Sequence, residues 1–450
     1  MRASIRAICT WTRGIPVKKS VIALILLAVL IIIVSPAIIG KLAEESVSEN
    51  LNWAAEKSGE LLVTSDGFDR GWFSSEGQHR VEIGDGSLRA AMSSTDEEMP
   101  VLLINTHIDH GLIPLSSMSR EEGSLSPGLG SAVSTLAIEM SDGELIDLPG
   151  SIYSELGLGG DLVSRYALSA GSHIADDGEI TWQPSNILIE ASAKSGDVTF
   201  EGELGTMTFA NDLELVSIDS LTIAGSQTNT PYGFDIGDID LSMGPMSIKS
   251  GGMTVGGMQS LNVKGSSSVD DGLAEGAVRL EMSDQSIPGF GNISVIADMA
   301  FNGADAAALG AVSKRLDEIS GTQDPAMMMM AAEDELKDLL AGGLEYDVEQ
   351  LDVTLPMGTV SSTMSFELSK SDRADFEWTS LLLDLVGEVY ISVPEELVQL
   401  ATSMNPEAGA IVAMGYLKKD GSAYVMDAKM KKGLLTVNGA PIPIPMGAFQ

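Results

Sequence analysis

A chain of 450 residues with 44% apolar and 20% charged side chains has the composition of a folded protein, despite its 48 glycines. Its 26 Lys and Arg face 64 Asp and Glu, and the five bases of residues 1–20 stand there without an acid, so residues 21–450 carry 21 bases against 64 acids. Such a surface repels nucleic acid, which needs neutralising cations, and removes it from the candidate partners; a saline habitat is the bland alternative source of the same acidity.

Residues 21–40, VIALILLAVLIIIVSPAIIG, hold no charge between Lys19 and Lys41. As a helix rising about 1.5 Å per residue, they span a hydrocarbon core of roughly 30 Å. The competing reading is a cleaved signal peptide with Ser35-Pro36-Ala37 as its small-x-small site, although the apolar core of such a peptide is usually about 7–15 residues long. Arg2, Arg6, Arg13, Lys18 and Lys19 precede the segment, whereas Glu44, Glu45 and Glu49 follow it. The positive-inside rule then puts residues 1–20 in the cytoplasm and 41–450 in the periplasm, anchored to the bacterial inner membrane by a single pass. The one cysteine, Cys9, lies before the segment, so the body folds without an internal disulfide.

Residues 41–60 place apolar side chains at helical spacing and predict a juxtamembrane helix. From Leu61 the period changes. LLVTSDGFDRGWFSSEGQHRVEIGDG predicts two strands joined through a glycine-containing bend, and further short strands are expected within 101–111, 135–143, 177–205 and 212–300. Turn signals recur without intervening helices, which favours an antiparallel meander over βαβ units. After Phe301, GADAAALGAVSKRLDEISG and DPAMMMMAAEDELKDLLAGG predict helices, the second with Asp324 as N-cap and Pro325 at its first position. Strands at 346–355 and 360–368 follow, then helices in ADFEWTSLLLDL and PEELVQLATSM around a strand GEVYISV, a helix ending at Gly415, and two closing strands. The expected fold is α+β but mostly β. A transmembrane helix at 21–40 leads into an extended, curled antiparallel sheet over 41–300, and a helix-containing α+β region over 301–450 packs on that sheet. The methionines at 327–330 either line a site for an amphipathic ligand or fill gaps in a core.

Among four histidines, His107 and His110 flank Asp109 in a His-x-Asp-His string. On a strand, His107 and Asp109 share a face and His110 takes the other, so the three do not converge on a metal unless Gly111 bends the chain. No metal site and no cofactor are assigned. Asp238 with Asp240 and Asp270 with Asp271 miss the calcium-loop pattern, and no nucleophile elbow, zinc-protease helix, phosphate loop or dinucleotide fingerprint occurs.

Three stretches, GFDRGWFSSE at 67–76, THIDHGLIPL at 106–115 and GYLKKDGSAYVMDAKMKKGLLTVNG at 415–439, resemble the bacterial YdgA-like family in sequence and order. The resemblance covers nearly the whole chain. It implies a membrane-tethered envelope protein of Gram-negative bacteria, of unknown function and without an established enzymatic activity. The family often reads His-Gly-Pro-Leu where this chain has His110-Gly111-Leu112-Ile113-Pro114-Leu115. In GWFSS, Trp72 and Phe73 point to opposite faces if extended, either as a sheet corner or as an aromatic contact for lipid or a partner.

The expected role is non-enzymatic: a tethered body that binds an amphipathic or lipid ligand, or an envelope protein partner, with Trp72, Phe73, His107 and His110 as candidate binding residues and no catalytic residue assigned. The alternatives are a periplasmic hydrolase using His107, Asp109 and His110, and an acidic assembly or scaffold factor for another membrane protein.

Overall fold

A computed structural model describes residues 61–70, 74–84, 101–110, 128–139, 143, 145–175, 178–287, 290–318, 325–371, 381 and 383–443. The expected cytoplasmic segment, membrane helix and juxtamembrane helix of residues 1–60 lie outside the described residues, as do Trp72, Phe73 and Asp324. Among the described residues no helix is long and apolar enough to cross a membrane. The chain divides into two compact units, residues 1–222 with 249–252 and residues 223–248 with 253–450.

The first unit is an antiparallel meander. Its strands are β1 (Leu61–Arg70), β2 (Ser74–Ile83), β3 (Val101–His110), β4 (Gly128–Glu139), β5 (Leu145–Gly157), β6 (Leu162–Leu168), β7 (Gly171–Ala175), β8 (Gly178–Trp182), β9 (Ser185–Ala191), β10 (Val198–Leu204), β11 (Met207–Ala210) and β12 (Glu214–Ile218). Successive strands pair from β1 to β6, after which β9 and β10 extend the same sheet. The remaining strands order as β7-β8-β11-β12. Period-two alternation drives this layering: in β6 Leu162, Ser164, Tyr166 and Leu168 are buried, with Val163, Arg165 and Ala167 more exposed between them. The buried set joins Val81, Ile104, Leu136, Leu162, Ile187, Ile189, Trp182 and Phe209 in one closed core. The expected strand at 135–143 begins earlier, at Gly128, because serine and glycine at its start pair as well as the apolar residues that mark its end.

The second unit is a wider sheet with helices at its margins. β13 (Leu221–Asn229) and β15 (Met246–Ser250) carry the chain across the boundary, and β14 (Asp235–Met243), β16 (Met253–Met258), β17 (Ser260–Asp270), β18 (Leu273–Ile287) and β19 (Gly291–Asp305) follow. Helices α1 (Ala306–Glu318), α2 (Pro325–Ala331) and α3 (Glu333–Ala341) come next, then β20 (Leu344–Leu355), β21 (Gly358–Leu368) and β22 (Leu385–Pro394). The unit ends with α4 (Glu395–Met404), α5 (Pro406–Ala413), β23 (Lys418–Asp420), β24 (Ala423–Lys431), β25 (Leu434–Val437) and β26 (Ala440–Ile442). All pairings are antiparallel, in the order β14-β17-β18-β19-β20-β21-β22-β24-β25-β26, and β23 lies beside the start of β24.

The segment expected as a single helix over 324–343 is two. α2 ends at Ala331, Ala332 takes φ −102° and ψ 16°, and Glu333, Asp334 and Glu335 open α3, where carboxylates suit the positive helix end. Met327 and Met330 are exposed, so those two methionines do not fill a core. Helix α1 begins where Asp305 Oδ1 accepts the amide of Ala308 at 2.9 Å. It packs on Tyr232 and Phe234 of the β13–β14 connection around the buried Ala274, Ala304 and Ala306. Gly310 permits that approach, since a Cβ there would strike the carbonyl oxygen of Tyr232. Of ADFEWTSLLLDL, Leu381, Leu383 and Asp384 are helical and the rest lies outside the described residues.

Candidate functional site

The histidine string sits on β3, whose register places Glu76 of β2 opposite His107 and Ser131 of β4 opposite Asp109. His107 and Asp109 share a strand face, as the alternation predicts, and His107 Nε2 lies 3.2 Å from Asp109 Oδ1. On the other side of the ring, Nδ1 lies 3.6 Å from Glu76 Oε1. The imidazole is thus held between two carboxylates, of which Asp109 is buried and Glu76 exposed. The backbone of His110 pairs with Gly130. Among the described residues no group of three or more His, Cys, Asp or Glu is placed to hold a metal ion.

Beside His107 the strands enclose a groove of about 670 Å³ lined by Glu76, Gln78, Asn105, Thr106, Val133 and Thr135 among others. Thr106 and Ser134 bond through their hydroxyls at 2.7 Å. The groove offers hydrogen-bond donors and acceptors and one oriented imidazole, which suits a small polar ligand more than an acyl chain.

A second and larger feature lies in the other unit. Tracing the register from β14 to β24, Leu241, Val263, Leu280, Ala297, Leu351, Ser362, Ile391 and Met426 stand directly opposite one another in one line across the sheet. A neighbouring line runs Val278, Met299, Val348, Met364, Val389, Ala428 and Val437. A third runs Phe301, Tyr346, Phe366, Gly387, Met430 and Leu435. Two-residue alternation assigns these lines to one face, which is therefore apolar over most of its length, interrupted by Ser362 and the hydroxyl of Tyr346. On that face Gly387 leaves room for the ring of Phe366, since a Cβ there would come within 2.7 Å of it.

The opposite face is water-facing and charged. Lys264 Nζ lies 2.9 Å from Asp240, and Arg279 lies 2.7 Å from both Glu281 and Asp298. The hydrogen bond and charge of Asp240 hold the Lys264 ammonium above its ordinary pKa, and those of Glu281 and Asp298 do the same for Arg279. Lys429 continues the pattern toward Glu388 at 3.4 Å.

Among the described residues the apolar face carries no closed core of large side chains, although Ala297, Val348, Ser362, Met430 and Val437 on its lines are buried. Whereas the first unit buries a continuous set of large side chains, the buried clusters of the second are the three alanines under α1 and the pair Ala341 and Leu368. Ile239, Val278 and Leu351 are exposed. Residue by residue the alternating pattern was visible in the sequence, but which strands abut depends on register and was not. Of the four candidate binding residues, the described structure places His107 in the polar groove and none on this apolar face; Trp72, Phe73 and the His110 side chain lie outside what it describes.

Residues 17–445 match the model of the family described as "Bacterial protein of unknown function (DUF945)". The chain is also 24% identical over 223 residues to the protein named "Protein YdgA" of Escherichia coli (strain K12). That match covers 47% of this chain and 43% of the relative, so the likeness spans less than half of either. No solved structure matches. With its family model matched from before the apolar segment nearly to the C-terminus, the chain belongs to DUF945, a bacterial family of unknown function.

Proposed function

We propose that the second unit holds the acyl portion of an amphipathic lipid against its apolar sheet face, and that the chain works as a membrane-anchored, non-enzymatic binding protein in the periplasm. The observation that carries this reading is the face itself: aliphatic, methionine and aromatic side chains across β14 to β25, with Val278 and Leu351 exposed and, among the described residues, no large buried cluster on it, although Ala297, Val348, Met430 and Val437 are individually buried. Exposed apolar side chains contiguous over several strands mark a surface that takes a ligand or partner. Methionines such as Met282, Met299, Met364 and Met426 recur on the face, and their flexible thioethers fit irregular, exchangeable chains. Arg and Trp are missing from its lines and Tyr346 is the single tyrosine there, a composition poor in the residues that anchor protein hot spots.

Curvature would turn the face into a trough. Open sheets of about ten strands tend to curl with their accumulated twist, and the bulges at Asp298/Met299 and Val348/Leu351 add bend near the middle. The uncharged segment 21–40 would keep such a trough beside a bilayer. The test is photo-cross-linking in living cells with benzoylphenylalanine replacing Met364 or Leu280 on the apolar face, and Ser365 or Arg279 on the polar one. Lipid adducts at the first pair and not the second support the reading; equal yields, or protein adducts alone at the first pair, refute it.

A further inference from the structure

Helices α4 and α5 follow β22 and form a hairpin unlike the rest of this acidic chain. From Leu397 to Gly415 the one charged residue is Glu407. Helix α5, PEAGAIVA, has no polar stripe, and such a helix normally lies inside a core or in lipid. Here Ile411 is 42% exposed, and Met404, the last residue of α4, and Met414, just after α5, are 67% and 60% exposed. Leu400 of α4 is exposed as well, whereas Val398 is buried on the side toward the sheet.

The hairpin is continuous with the apolar face. Ile391 and Val393 lie on β22 immediately before Pro394 caps α4, and Tyr424 and Met426 of β24 pair with them. At the same end of the sheet the β18–β19 turn exposes Ile287 and Phe290. The opposite end differs: there α1 and α3 pack over Ala274, Ala304 and Ala306. One end of the apolar face is thus covered by helices and the other is rimmed by bare apolar side chains.

We propose that the α4–α5 hairpin inserts into the surface of a lipid bilayer and is the port through which acyl chains enter or leave the apolar face. This rests on the lipid-binding reading above. A bilayer fits better than a protein, because the exposed set around the hairpin is dominated by aliphatic and methionine side chains, joined by Phe290, with no Trp or Arg among them. Lys418 and Lys419 stand exposed at its base, on β23. Lys418 donates to the carbonyl of Asn438 at 2.9 Å and Lys419 pairs with Glu395, while Glu396 and Asp420 stand beside them, so the corner carries no net positive charge and insertion rests on the apolar side chains of the hairpin.

The test uses the full chain with Cys9→Ser, reconstituted into vesicles of phosphatidylethanolamine with a minority of phosphatidylglycerol. An environment-sensitive NBD label is attached at Met404→Cys, at Met414→Cys, or at Thr363→Cys on the polar face. Blue-shifted emission quenched by nitroxide lipid at 404 and 414 but not at 363 supports insertion. Water-like emission at both hairpin positions overturns it, as does a blue shift without lipid quenching, which would mean cover by a second copy or another protein. In cells, Ile411→Glu with Met414→Glu is expected to lower the lipid adduct at position 364 by about tenfold or more. An unchanged yield in that variant removes the port while leaving the trough. No adduct at position 364 in the parent removes the trough, and the hairpin is then judged by the label alone.

Discussion

Two leucines separate a closed core from an open face. Leu162 of β6 is 2% exposed inside the first unit, and Leu351 of β20 is 39% exposed on the apolar face of the second. Burying a leucine fully is worth about 1.5–3 kcal/mol, so Leu351 retains roughly three-fifths of that, and its truncation to alanine on lipid-depleted protein should cost about 1 kcal/mol. Leu162→Ala loses the whole transfer free energy and leaves a cavity, which raises its cost to about 3–5 kcal/mol. Hydrogen exchange read by mass spectrometry on the full chain, stripped of lipid and held in amphipol, reports each unit separately: the slowest amides of β5 and β6 for the first, those of β19 and β20 for the second. A cost for Leu351→Ala as large as that for Leu162→Ala would mean that protein closes the face, and would refute the reasoning that made it a binding surface.

Four other outcomes follow from the same structure. Gly310→Ala would drive a methyl into the Tyr232 carbonyl and lift α1 off the sheet, so protection in α1 should fall while the first unit is untouched. Tyr166 is buried in the first core, and its hydroxyl has no hydrogen-bond partner among the described residues. Tyr166→Phe should therefore be neutral or stabilise by about 1 kcal/mol in denaturant unfolding, and a clear loss would reveal a hidden partner. Burial pushes that phenol up to about 12 from its ordinary 10.0, so the folded state holds the proton longer than the unfolded one; the resulting stability is complete below pH 10 and is lost between there and about 12, which a spectroscopic alkaline titration reads. The Lys419 hydrogen bond lowers the pKa of Glu395, and stability from that pair is present above the ordinary carboxylate range and lost as pH falls through the lowered value. Protection factors at the start of α4, corrected for the slower intrinsic exchange in acid, should fall as pH drops through that value, and Lys419→Met should abolish that dependence.

Much of the fold was legible because alternation and turn residues are local signals. The strands around Val81 and Ile83, the strand at 101–110 and the helix after Asp305 stand where the pattern puts them. Strands β5 and β6 were harder to read, since LIDLPGSIYSELG carries a proline and glycines where a strand is expected to be uniform. The helix break at Ala332 was hidden because MMMMAAEDELK is good helix former throughout and only the packing of a buried alanine marks the change. At the site, the shared face of His107 and Asp109 followed from strand geometry alone, but Glu76 joins them from another strand by register. The apolar face escaped for the same reason: Leu280 and Leu351 are distant in sequence and are brought into one line only through β19.

The most direct test is an experimental structure of the full chain purified in lipid nanodiscs. Elongated density of acyl-chain width along Leu280, Leu351 and Met426, with no protein side chains between it and the sheet, is the predicted result. A second protein layer closed over those residues, with no foreign density, would contradict it.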